Sequence, residues 1–227
     1  MLEDNKVRPV SDIATRALSV TAIDNDFIEG VYNKIAAFDS WIFGPTLQTG
    51  RREAMKRLPM QSGDRVLEVG VGTGINASLY SKDCVVTGID LSASMLVKAG
   101  RRLNRRGIKN VQLMQMDAAQ MNFSDESFDL VYAPYLISVV PDPVRVAREM
   151  YRVCKVGGHI VLLSHFLSEN PFLARVERLI SPLTVHIGFK SDLDRPAFLA
   201  QADLKPISID KVNIPRWWSL IICRRGK

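Results

Sequence analysis

The run Val66-Leu67-Glu68-Val69-Gly70-Val71-Gly72-Thr73-Gly74 carries an apolar stretch straight into three alternating glycines, with a carboxylate two residues before the first. Glycine is needed where a backbone turns with φ > 0 and where a ligand must approach without meeting a Cβ, so a nucleotide-like ligand is expected across this turn. Two ligand classes fit. Gly72, Gly74 and Ala77 satisfy the dinucleotide spacing G-x-G-x-x-A, and Asp90 follows at a distance suited to a ribose hydroxyl. Glu68 favours the other class, a nucleoside bearing a cationic amino-acid group, because a carboxylate there opposes a pyrophosphate. A dinucleotide enzyme would also need a substrate domain, for which 227 residues leave no room. Farther on, His165 follows an apolar run, where side chains reach the crevice at the carboxyl ends of strands. With an ordinary pKa of ~6.5 it suits proton removal from an amine, directly or through water.

Such residues need a parallel sheet to hold them. Arg65–Val69, Val85–Ile89, Val111–Met116, Phe128–Ala133 and His159–Leu163 read as short buried strands, with Ser92–Arg106 and Pro143–Cys154 helical between them. This alternation predicts an α/β fold with a doubly wound, mostly parallel sheet. Ile207–Asn213 and Trp217–Arg224, separated by Ile214-Pro215-Arg216, predict an antiparallel finish. Upstream, Phe27, Val31, Ile35, Phe38 and Ile42 recur at helical spacing and predict an amphipathic helix. A second helix, Leu47 to Leu58, carries Arg51, Arg52, Lys56 and Arg57. Residues 1–22 read as an arm, so residues 1–58 form the N-terminal arm and helices, and residues 59–227 the core of the same domain.

The chain is 47% hydrophobic and 24% charged, too apolar for disorder. Cys84, Cys154 and Cys223 lack metal or disulfide spacing, no metal is expected, and no run approaches the ~18 apolar residues of a membrane span. The N-terminus lacks the order of a signal peptide, so an intracellular, cytoplasmic protein is expected. The net charge of +6 favours polyanions, among them an anionic membrane face.

The glycine run with Glu68 resembles the first motif of the class I, Rossmann-like S-adenosylmethionine-dependent methyltransferases. The resemblance continues through Gly88-Ile89-Asp90-Leu91-Ser92, Met116-Asp117-Ala118, Phe128-Asp129-Leu130-Val131-Tyr132-Ala133 and Lys155-Val156-Gly157-Gly158-His159. It implies S-adenosyl-L-methionine as cofactor and S-adenosyl-L-homocysteine as product. On that resemblance Gly70, Gly72 and Gly74 let the methionine part lie on the backbone, and Glu68 orients it through its ammonium and nearby amides. Asp90 accepts from the ribose hydroxyls. Asp117 takes the adenine amine beside an Ala118 backbone donor, and Leu91 and Ala133 complete the cofactor set. Asp129 reads as a structural turn residue.

For the acceptor, Tyr132-Ala133-Pro134-Tyr135 is similar to the Asn/Asp-Pro-Pro-Tyr/Phe motif of nucleobase-amine methyltransferases, with Tyr132 in place of the polar residue. Val31–Asp39, Gly50-Arg51-Arg52, Ala133–Pro143 and Trp217-Trp218-Ser219-Leu220 resemble the bacterial phosphatidylethanolamine N-methyltransferases that make phosphatidylcholine. That resemblance implies a phospholipid acceptor and peripheral association with the inner membrane face. The stripe Phe27 to Ile42 reads equally as a membrane-contacting helix or as a lid over the cofactor. Tyr32, Tyr135 and Trp217 are candidates for holding the amine by their rings. His165 is the candidate base, and Arg148, Lys190 and Arg216 are candidates for the lipid phosphate. Lys98, Arg101, Arg102, Arg105, Arg106 and Lys109 around one helix keep an RNA or small-molecule acceptor open, although no appended RNA-binding module is visible and no nucleic-acid partner is expected. A non-catalytic membrane-binding protein of the same fold is the other alternative.

Overall fold

The computed structural model describes residues 44–168, 170–175, 177, 179, 192–213 and 217–226. The predicted arm and the helix over 27–42, with Tyr32, lie outside the described residues, as do Lys190 and Arg216.

Seven strands form one sheet: β1 (Arg65–Val69), β2 (Val85–Asp90), β3 (Val111–Gln115), β4 (Phe128–Pro134), β5 (Cys154–His165), β6 (Pro206–Val212) and β7 (Trp218–Arg224), in the order β3-β2-β1-β4-β5-β7-β6. The first five are parallel; β7 runs against both β5 and β6, so β6 recovers the common direction. Chain reversal between β1 and β4 leaves a crevice outside their carboxyl ends, where ligands of such sheets bind. Four of the five β1 residues are buried, as a strand covered on both faces requires.

The helices are α1 (Gly44–Arg57), α2 (Ala93–Arg106), α3 (Pro143–Val153) and α4 (Arg195–Gln201). Ser92 caps α2 through Met95 N–H, and Gly107 closes it at φ 62°. Asp142 caps α3, with Pro143 in its first turn. β5 extends well beyond the predicted His159–Leu163. Its register to β4 jumps from Phe128↔Cys154 to Leu130↔His159, and Gly157 and Gly158 exchange backbone hydrogen bonds with Arg225, which holds this irregular first half in the sheet. The pattern also missed α4, which Asp194 caps through Ala197 N–H at 2.8 Å, and a helical stretch over 171–175.

Strand alternation splits the core. One face, including Val131, Ala133, Leu162 and Ile221, packs on Met150 of α3 and Phe198 of α4. The other, including Leu130, Tyr132, Leu163 and Leu220, packs under Leu47 and Ala54 of α1. Among the described residues no helix is long and apolar enough to cross a membrane.

Candidate functional site

The three motif glycines all adopt positive φ, 75° at Gly70, 54° at Gly72 and 69° at Gly74. Two are close-packed: a Cβ on Gly70 would lie 2.8 Å from Leu136 Cδ1, and one on Gly74 would lie 3.1 Å from Ala99 Cβ. A Cβ on Gly72 would meet nothing within 4 Å, so the space on that side of the middle glycine is open. Asp90, at the end of β2, ties that opening together. Its Oδ2 accepts from Gly72 N–H at 2.8 Å and its Oδ1 from Ser92 N–H at 2.9 Å. Burial raises its pKa, and the two amides oppose the rise. Each oxygen keeps a lone pair for a ribose hydroxyl.

Glu68 lies beside Tyr132 across the β1–β4 register and is 1% exposed. Its carboxylate accepts from Asn76 Nδ2 at 2.7 Å and from the Tyr80 hydroxyl at 2.8 Å. Desolvation pushes its pKa up to about 7 against the lowering effect of those bonds and of Arg51. Through these bonds Glu68 is tied to the 3₁₀ turn Asn76–Leu79 and to Tyr80 at its flank, which anchors the loop following Gly72. Asn76 Oδ1 and the Tyr132 hydroxyl are each buried with no hydrogen-bond partner among the described residues. Open backbone at Gly72, the Asp90 carboxylate and these two polar atoms fit a nucleoside with a polar amino-acid tail.

Asp117 is exposed after β3 and closes a turn through Ala119 N–H at 2.8 Å; Ala118 is half-buried and Leu91 is exposed. Ala133 is fully buried on the α3 face, so its side chain takes no part in the crevice; strand alternation decides this. Asp129 accepts from Arg65 N–H at 2.9 Å and pairs with Lys155 Nζ at 2.7 Å, a structural lock between strands.

At the acceptor side, Tyr135 sits just past β4 at φ 58°. Its hydroxyl donates to Leu47 O at 2.9 Å and accepts from Asn213 Nδ2 at 3.2 Å. The Arg51 guanidinium lies 4.8 Å from its ring centroid, and Trp218 meets it edge-on at 4.7 Å. Tyr135 thus joins α1, β4 and β7, with the Arg51 cation already over its ring. His165 ends β5, 9% exposed, with Nε2 3.5 Å from Glu177 Oε1 and its ring 5.8 Å from Trp218. Trp217 is 61% exposed, and Trp218 takes the inward place. Arg148 donates to Gln201 O at 2.8 Å, bracing α3 against α4. That bond commits it to helix packing.

Sequence reasoning did not single out Arg51, Trp218 or Glu177 as site residues. The period-two run Trp218-Leu220-Ile222 was a usable signal for the second; the other two are brought in by tertiary packing alone.

Residues 67–162 match the family model described as a methyltransferase domain. The chain is similar to the phosphatidylethanolamine N-methyltransferase of Cereibacter sphaeroides, 42% identical over 168 residues, 74% of this chain and 82% of that one. Among solved structures it is similar in fold to a SAM-dependent methyltransferase of Aquifex aeolicus, 17% identical, covering 85% of this chain and 97% of that one at a TM-score of 0.63. It is likewise similar to a geranyl diphosphate methyltransferase in complex with SAM, 19% identical, covering 77% and 84% at a TM-score of 0.66.

Proposed function

The chain belongs to the S-adenosylmethionine-dependent methyltransferase family, and we propose that its acceptor is the primary amine of phosphatidylethanolamine, methylated toward phosphatidylcholine at the inner membrane face. The observation that carries this reading is the 42% identity over 82% of a relative bearing that activity. S-adenosylmethionine supplies an electrophilic methyl group on a sulfonium. The protein's task is then to align, to exclude water and to take one proton.

In this reading Gly72 and Asp90 hold the nucleoside, Asp117 and Ala118 meet the adenine, and the Glu68–Asn76–Tyr80 cluster keeps the loop in shape. An ammonium has no lone pair, so the acceptor must lose a proton before attack. His165, with Glu177 3.5 Å from its Nε2, is the group to take it. Trp218 and Tyr135 form the aromatic wall that excludes water there. Tyr32, Lys190 and Arg216 keep their proposed parts in holding amine and phosphate, and the stripe Phe27 to Ile42 its proposed part at the lipid surface.

The test is incubation of the protein with methyl-labelled S-adenosylmethionine and vesicles containing phosphatidylethanolamine, with ethanolamine and total RNA as parallel acceptors. Label is expected in the phospholipid fraction. Label in RNA or in the soluble amine, with none in lipid, rejects the acceptor while leaving the methyltransferase assignment intact.

A further inference from the structure

Between Asp90 and Asp117 the chain carries six basic residues, Lys98, Arg101, Arg102, Arg105, Arg106 and Lys109, and no acid. Their number equals the net charge of +6, so the charges of all other residues cancel. Five of the six lie on α2, and all but Arg102 are exposed. A spacing of four sets Arg101 beside Arg105 and Arg102 beside Arg106, like-charge neighbours that weaken a helix rather than support it. The helix dipole accounts for Arg105 and Arg106 in the last turn, but not for Lys98 and Arg101 farther in. Among the described residues none of the six forms an ion pair. Arg106 Nη1 donates to Ser78 Oγ at 3.1 Å and Arg105 Nε to Arg101 O at 3.4 Å, both neutral acceptors. Elsewhere arginines meet acids: Arg57 of α1 lies 2.6 Å from Glu53, and Arg152 of α3 lies 2.8 Å from Glu149.

Packing turns this charge outward on one side of the sheet. Ala99 and Leu103 are buried against Val111 and Leu113, so the opposite side of α2 faces solvent, with Val97 47% exposed next to Lys98 and one turn before Arg101. α1 adjoins α2 on that side, since residues of both helices line one cleft. Neither helix has an aromatic residue, so the bases of a nucleic acid find no ring to stack on. An anionic bilayer fits better. It attracts clustered Lys and Arg within a Debye length, and their aliphatic stems, with Val97 among them, suit the interface. The stripe Phe27 to Ile42, with its proposed part at the lipid surface, is joined to α1 by the chain at Gly44.

We propose that the exposed side of α2, centred on Lys98, Arg101 and Arg105, docks the protein on an anionic lipid bilayer. The choice of a bilayer rests on the lipid acceptor proposed above. The surface itself uses no residue of the Gly72–Asp90 opening or of the His165 side, so it sets how firmly the protein is held at a leaflet and not which amine is methylated. Its strength rises with the anionic lipid content and falls with salt.

The test compares the full chain carrying Arg101→Gln/Arg105→Gln with two controls. Lys155→Gln/Lys205→Gln removes the same charge at the start of β5 and just before β6, and Arg101→Lys/Arg105→Lys keeps the charge on α2. Co-sedimentation at low salt with phosphatidylcholine vesicles, with and without phosphatidylglycerol, reads the binding. The unmodified protein should bind the vesicles containing phosphatidylglycerol more tightly. Arg101→Gln/Arg105→Gln should weaken that binding about 30-fold, the effect of two basic residues near an anionic leaflet. Either control should weaken it by about twofold at most, and binding to phosphatidylcholine alone should be equal in all four proteins. Equal losses in the two glutamine variants, or no preference of the unmodified protein for phosphatidylglycerol, overturns the proposal. So does tighter binding of a short RNA than of the anionic vesicles with the same arginine dependence. Methyl transfer to phosphatidylethanolamine dispersed in neutral detergent micelles, expected to be unchanged in both α2 variants, reports separately on the acceptor.

Discussion

Asp90→Asn tests the cofactor site at the residue where strand, loop and ligand meet. The aspartate oxygens accept from Gly72 N–H at 2.8 Å and Ser92 N–H at 2.9 Å. Asparagine keeps one oxygen, so its NH₂ must confront one of those donors. A hydrogen bond to a charged group contributes about 1.5–3 kcal/mol. Partial burial of the carboxylate, which raises its pKa, is a cost that the neutral amide escapes. Stability should therefore fall by only about 1–2 kcal/mol. The ribose hydroxyls meet an acceptor without charge, so affinity for S-adenosylmethionine should fall about 10- to 100-fold, the same 1.5–3 kcal/mol expressed as binding. Isothermal titration reads the affinity and a circular-dichroism melt reads the fold. Asp129→Asn is the control, since it breaks the Lys155 pair and should lower the melt while leaving cofactor affinity unchanged. A folded Asp90→Asn protein that binds the cofactor like the unmodified one would refute the reasoning.

Glu68 makes a pH prediction: its pKa rises from 4.5 to about 7 on folding, so between those values the unfolded chain has released a proton that the native state keeps, and stability falls progressively there and stays lower by a constant amount above them. Relative to the unmodified protein, Glu68→Gln should gain stability from pH 4.5 to 7, by about 3 kcal/mol at most, and a melt difference independent of pH would contradict this. Gly50→Ala places a Cβ 1.5 Å from Asn213 Oδ1 and 2.6 Å from the Tyr135 hydroxyl. Although alanine favours a helix by ~1 kcal/mol, chemical denaturation should show a net loss of about 1–3 kcal/mol, recovered in part by adding Asn213→Ala. His165→Asn should lower turnover about 10²-fold or more with cofactor affinity unchanged, and Glu177→Gln should lower it less; full turnover in His165→Asn would move the proton transfer elsewhere.

Much of the fold was legible because its signals are local. Buried parallel strands are apolar on both faces, so β1, β2, β4 and the second half of β5 announce themselves without reference to partners, whereas β3, expected to be buried, is the edge strand and is half-buried or exposed throughout. Capping residues such as Ser92 and Asp142 act within three residues of themselves. The glycine run was legible for the same reason, since positive φ is a property of one backbone position. α4 escaped notice because its seven residues are too short to show a period. The first half of β5 escaped because its Lys-Val-Gly-Gly stretch is held by Arg225 from the far end of the chain.

The amino-acid order by itself determined the doubly wound α/β class, the positive-φ glycine turn from Gly70 to Gly74, and the kinship with methyltransferases. These rest on neighbours in sequence. Only the tertiary structure decided that Glu68 anchors a turn through Asn76 and Tyr80, that Tyr135 spends its ring on Arg51 and its hydroxyl on Leu47, and that Glu177 stands beside His165. It alone brought arginines of α1 and α2 into one cleft. The physical reason is that a side chain's chemistry is set by burial and by the partners that packing brings to it, and those partners come from distant parts of the chain.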